Sequence, residues 1–265
     1  KEIDERYGLD ISYIYNNIGL TYCKLGNPKK GLWFQKRALE ICKKYNSEYS
    51  LNTAICYNCV GGTYLELGDV ERGAGYQEKA LEIRLKLCEY YDTYIANSYD
   101  NLGSIYVKFG GIEKIKKGLK YHKNALEIWT KMNGIFNSHT AICYDNIGCA
   151  YVKLGEIEKG IEYHNKALKI FKRVCGYHSP DTAICYDNIG MAYVYLNDME
   201  GGLKNLKAAL DIRLKIYGKD NLNTAISYNN VGLVYKKLRE VDKALENYKK
   251  VEEIWEKIII KIIHV

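Results

Sequence analysis

Apolar side chains recur along this chain with the spacing of a helix surface. Tyr144, Ile147 and Tyr151 stand three and four residues apart and make one face at helical period. Beyond Gly155 the pattern resumes with Ile161, Ala167, Leu168 and Ile170. Two helices are predicted here: A from about Thr140 to Leu154, and B from about Glu156 to Arg173. Ser179, Asp181 and Thr182 offer side-chain oxygens to cap the next helix A, and Pro180 suits its first turn.

The block Tyr144-Asp-Asn-Ile-Gly148 has close copies beginning at Tyr15, Tyr57, Tyr99, Tyr186 and Tyr228, at steps of 42, 42, 45, 42 and 42 residues. Such a period predicts an all-α stack of like helix pairs, each packing on its neighbours. The expected repeats are 9–51, 52–92, 93–138, 139–180, 181–222 and 223–265. Residues 1–8 align with the end of a helix B and read as the tail of a preceding repeat, giving a residual N-terminal helix. The 45-residue step is expected to widen the A–B turn of the third repeat around Gly110, Gly111 and Ile112. A small residue follows the signature glycine by twelve positions at Gly31, Gly73, Gly160, Gly202 and Ala244, while the longer third repeat places it at Gly118. Glycine inside a helix costs about 1 kcal/mol against alanine, so its recurrence implies helices too close for a Cβ.

With 47% apolar residues the 265-residue chain has ample material for a continuous core. No uninterrupted apolar run reaches membrane-spanning length, and the N-terminus lacks the apolar centre of a secretion signal. The nine cysteines fall mostly within predicted helices; Cys56, Cys143 and Cys185 precede the signature tyrosine and read as small buried side chains. Reduced thiols and a cytoplasmic location are therefore expected. Cys56 and Cys59 lack a second ligand pair at zinc spacing, so no metal or other cofactor is expected. A net charge of +7 permits an acidic partner without requiring nucleic acid.

Catalysis and a small-molecule substrate are not expected, because no phosphate-binding glycine loop, nucleophile elbow or H-E-x-x-H motif occurs. His122 and His164 hold one equivalent place on helix B, and no carboxylate is expected to recur beside them to orient a ring. They read as packing or surface positions. The 26 tyrosines raise the question of stacked nucleic-acid bases. Twelve are signature positions, and Tyr76, Tyr121 and Tyr163 add a third periodic position, so most belong to the core.

The signature Tyr144-x-x-Ile147-Gly148-x-x-Tyr151, followed by Gly160 and Ala167, resembles the tetratricopeptide pattern. The 42-residue period, the Ala-Leu-Glu-Ile segments at Ala38, Ala80 and Ala125, and the linker His178-Ser-Pro-Asp-Thr-Ala are similar to the long-helix kinesin light chain and nephrocystin-like subtype. The resemblance implies a right-handed superhelical solenoid acting as a non-catalytic scaffold. Helices A would line its concave groove, and a protein or peptide segment would be its partner.

Asn17, Asn101, Asn146, Asn188 and Asn230 form a ladder just before the apolar residue and glycine of the signature, on another face from the tyrosines. Asparagine is a poor mid-helix residue, and its carboxamide can pair with a peptide main chain. With Asp100, Asp145 and Asp187 beside the ladder, and Lys108 and Lys153 two turns on, these are the candidate peptide contacts. Bonding between neighbouring repeats is the competing use for the ladder, which Cys59 interrupts. A sensing or self-assembling array of a larger protein is the alternative function. The apolar end, Ile258 to Ile263, is either a cap or a face that packs on a further segment.

Overall fold

The computed structural model describes residues 2–88 and 92–263, with side chains over 7–88 and 92–260. Among these residues are twelve helices and no strand. The first half, Lys1–Met132, holds α1 (Glu2–Lys24), α2 (Pro28–Tyr45), α3 (Leu51–Glu66), α4 (Val70–Leu87), α5 (Thr93–Phe109) and most of α6 (Ile112–Asn133). The second, Asn133–Val265, holds α7 (Ser138–Lys153), α8 (Ile157–Val174), α9 (Pro180–Tyr195), α10 (Met199–Tyr217), α11 (Leu222–Lys237) and α12 (Val241–Ile263). Odd-numbered helices are the A helices and even-numbered ones the B helices. Within each half they stack as successive pairs, an all-α solenoid.

The tyrosines build the pairs. In the fourth repeat Tyr163 of α8 sits between Tyr144 and Tyr151 of α7, with ring centroids at 6.0 and 5.3 Å. Tyr76 is held likewise by Tyr57 and Tyr64, and Tyr121 by Tyr99 and Tyr106. Beneath the rings lie fully buried aliphatics and alanines such as Ala167, Ile170 and Ile189. The glycines explain the close approach. A Cβ on Gly148 would meet the His164 ring at 2.8 Å, and one on Gly160 would run into Val152 Cγ2 and stand 3.0 Å from the Gly148 carbonyl.

Local signals act as expected around α9. Ser179 accepts the Thr182 amide at 3.1 Å, and Thr182 Oγ1 donates to the Gly176 carbonyl at 3.0 Å. Two expectations need correction. The insertion of the third repeat does not widen its turn: Gly110 and Gly111 alone separate α5 from α6. The other five A–B turns have three residues, with a left-handed residue at Gly26, Gly68, Gly155, Asn197 or Arg239. The added residues instead lengthen α6 to 22 residues, because Glu113, Lys114, Lys116 and Lys117 are good helix formers. Lys114 and Lys117 then pair with Glu71 and Glu78 of α4. Nor is there a separate N-terminal helix, since α1 runs unbroken from Glu2 to Lys24. Only seven residues lead from Gly8 to Tyr15, against ten from Gly218 to Tyr228, which leaves no length for a loop and cap. Lys1, His264 and Val265 of the expected terminal segments lie outside the described residues. Ile259 and Ile260 at the apolar end are half exposed.

Candidate functional site

The face of helix A opposite the tyrosines is a stripe at i, i+4, i+7 and i+11. In α9 it reads Ile184, Asn188, Met191, Tyr195; in α7, Ile142, Asn146, Cys149, Lys153; in α11, Ile226, Asn230, Leu233, Lys237. The first half repeats it as Tyr13, Asn17, Leu20, Lys24 and as Asn97, Asn101, Ser104, Lys108, and more weakly as Ile55, Cys59, Gly62, Glu66. Its first position was missed by the sequence reading. Ile55, Ile142, Ile184 and Ile226 are 39–52% exposed, although each lies within an A helix whose opposite face is packed. The signal was in the sequence: an isoleucine two residues before the signature tyrosine in four of six repeats.

The predicted residues divide between surface and interior. Asn17, Asn101, Lys108 and Lys153 are exposed, and Asn146, Asn188 and Asn230 are half-buried. The aspartates point inward to the B helices. Asp100 Oδ1 is 2.7 Å from His122 Nδ1, and Asp145 Oδ1 is 2.6 Å from His164 Nδ1, both rings being almost wholly buried. A carboxylate therefore does recur beside these histidines, supplied by helix A across the pair. Sequence adjacency could not reveal it. In the fifth repeat Leu206 takes the histidine's place, and Asp187 pairs instead with Arg213 of α10.

The Asp145 carboxylate also receives the ladder of the next repeat, since Asn188 Nδ2 donates to Asp145 Oδ2 at 2.8 Å. In the first half Asn16, in the aspartate column, donates to Cys59 Sγ at 3.4 Å. The cysteine that interrupts the ladder in sequence thus preserves its link between repeats. Burial holds the Asp187 carboxyl above the usual carboxylate range, against the opposing pull of Arg213 and Asn230.

Among the described residues Asp145, Cys149 and His164 present atoms within 4.8 Å of one another, the one grouping with the donor chemistry for a metal ion. Both Asp145 oxygens already accept bonds from His164 and Asn188. Burial, then the Asp145 charge, pushes the Cys149 thiol up to about 12. The equivalent trio in the third repeat, Asp100, Ser104 and His122, keeps the carboxylate–histidine bond without a thiol. The pair is a pin between helices A and B. No described helix is long and apolar enough to cross a membrane.

The family model for the tetratricopeptide repeat matches residues 10–72, 151–201 and 196–257, more than half of the chain. No curated protein matches it in sequence. Among solved structures, BtubC (BKLC) from P. vanneervenii aligns with a TM-score of 0.70 at 18% identity, over 87% of this chain and 92% of that one. A putative kinesin light chain of nearly identical repeats from Podosopora anserina aligns at 0.70 and 12% identity, over 79% and 97%. The signal-transduction ATPase PH0952 from Pyrococcus horikoshii, with a tetratricopeptide repeat sensor, aligns at 0.73 and 19% identity, over 96% of this chain and 38% of that one. The fold is that of kinesin light chain-type repeats. It is a fold suited in general to a scaffold for protein–protein interaction.

Proposed function

The chain belongs to the tetratricopeptide repeat family, and from that premise we propose that it binds an extended protein segment along the exposed stripe of its A helices. The observation that carries this reading is the isoleucine column. An isoleucine left half exposed in each of four repeats gives the stack only part of its apolar surface, and covering the remainder gains about 0.7–1.5 kcal/mol per side chain, half the value for full burial. Asparagines on the same stripe add hydrogen bonding to a peptide main chain, since a bond to aspartate uses one of the two carboxamide N–H groups. Lys108, Lys153 and Lys237 supply positive charge two turns beyond the asparagines, selecting a segment that is apolar at intervals and acidic at one edge. Asp100, Asp145 and Asp187 act here as supports for the stripe. The mechanism is reversible capture without covalent chemistry.

The test is selection of ligands from a displayed peptide library, followed by affinity measurements on Ile184→Glu combined with Ile226→Glu. The expected result is at least about a tenfold loss of affinity, corresponding to about 1.4 kcal/mol, with an unchanged melting temperature. Undiminished binding by the folded double variant would overturn the reading.

A further inference from the structure

The first half contains a chemical feature unrelated to the aspartate pins. Cys42 of α2 and Cys56 of α3 bring their sulfurs within 3.5 Å across the boundary between the first and second repeats. At the same two sequence positions within the halves other repeats carry Arg84 and Ser98, Phe171 and Cys185, and Arg213 and Ser227. Among these pairs of positions only Cys42 and Cys56 are both cysteines. Both are buried, yet a cavity of about 330 Å³ reaches them, lined also by Ser12 and Asn16. Ser12 Oγ lies 3.3 Å from Cys42 Sγ. Asn16 Oδ1 is buried with no hydrogen-bond partner among the described residues, an acceptor available to a small donor in the cavity.

We propose that Cys42 and Cys56 are a reversible thiol–disulfide pair, oxidised by a small hydroperoxide entering this cavity and bolting the first repeat to the second. The Cys42 thiolate attacks one peroxide oxygen, the O–O bond breaks, and Cys42 becomes a sulfenic acid. The leaving oxygen takes a proton and departs as water, or as an alcohol from an organic peroxide. Cys56 sulfur then attacks Cys42 sulfur and the S–O bond breaks. The departing hydroxide combines with the Cys56 proton to form water. The two thiols lose two electrons and two protons, and one peroxide accepts both. The sulfurs need approach by only about 1.5 Å to reach disulfide length. Cys42 is suited to the first attack, because its bond with Cys56 favours the thiolate, opposed by burial and helped by Ser12.

The experiment treats the folded full chain with hydrogen peroxide, alkylates remaining thiols under denaturing conditions, and maps peptides without reduction. The expected product is a peptide linking Cys42 to Cys56, two hydrogens lighter than its parts and restored by dithiothreitol. In Cys56→Ser, whose hydroxyl keeps a donor to Cys42 but cannot close a disulfide, Cys42 should accumulate as a sulfenic acid that dimedone traps. Recovery of both cysteines as alkylated thiols while exposed Cys175 is oxidised would overturn the proposal. So would oxidation of Cys42 beyond the sulfenic state in the wild-type chain. The wild-type map decides the question by itself should the serine variant fold poorly.

Discussion

Glycines of the same residue type occupy opposite environments here, and the difference sets the sign of substitution. At Gly148 an added methyl group runs into the His164 ring, while around Gly75 on α4 nothing lies within 4 Å of the new carbon. Gly148→Ala should lower unfolding free energy by about 1–3 kcal/mol through overpacking. Gly75→Ala should raise it by about 0.5–1 kcal/mol by removing backbone freedom from the unfolded chain. Urea titration of the two variants checks both signs, and a shared sign would refute the close-approach account. From sequence alone the periodic glycines were legible as a group. The ring that fills the space over Gly148 was not, because His164 arrives from another helix.

Between elements, the aspartate column does the linking. Asp145 ties α7 to α8 through His164 and α7 to α9 through Asn188. Asn188→Ala should therefore cost about 1 kcal/mol or more, by withdrawing one partner from a largely buried carboxylate. Its measurement is the denaturant midpoint beside that of Ile184→Glu, which should scarcely move. Asp187 gives the same link a pH dependence. Its carboxyl holds a proton more tightly in the folded chain than in the unfolded one, since burial outweighs Arg213 and Asn230. Its contribution to stability is greatest at low pH and falls as pH rises from the unfolded carboxylate range through the raised folded value. Stability measured from pH 4 to 7 should thus shift in favour of Asp187→Asn relative to wild type as pH increases. A constant difference would remove the linkage. The sequence reading placed these aspartates on the groove because i, i+4 geometry describes one helix in isolation. Their true direction is set by the neighbouring pair.

At the scale of the whole molecule each half carries its own core, and repeat arrays are held mainly by nearest-neighbour contacts. A fragment covering Asn133–Val265 should fold by itself, with helical circular dichroism and a cooperative thermal transition. A broad, non-cooperative melt would show that it depends on the first half.

Period, helix pairing and capping were determined by the sequence itself, because they follow from local spacing and recur too regularly to be ambiguous. The isoleucine column was legible there too, once its exposure showed that packing does not use it. Only tertiary structure decided which polar residues remain at the surface and which become pins, since that depends on what the adjacent helix presents. It also decided that the three-residue insertion lengthens α6 rather than its turn, and that Cys42 and Cys56 meet. These outcomes rest on contacts between residues distant along the chain, whose direction no single-helix periodicity contains.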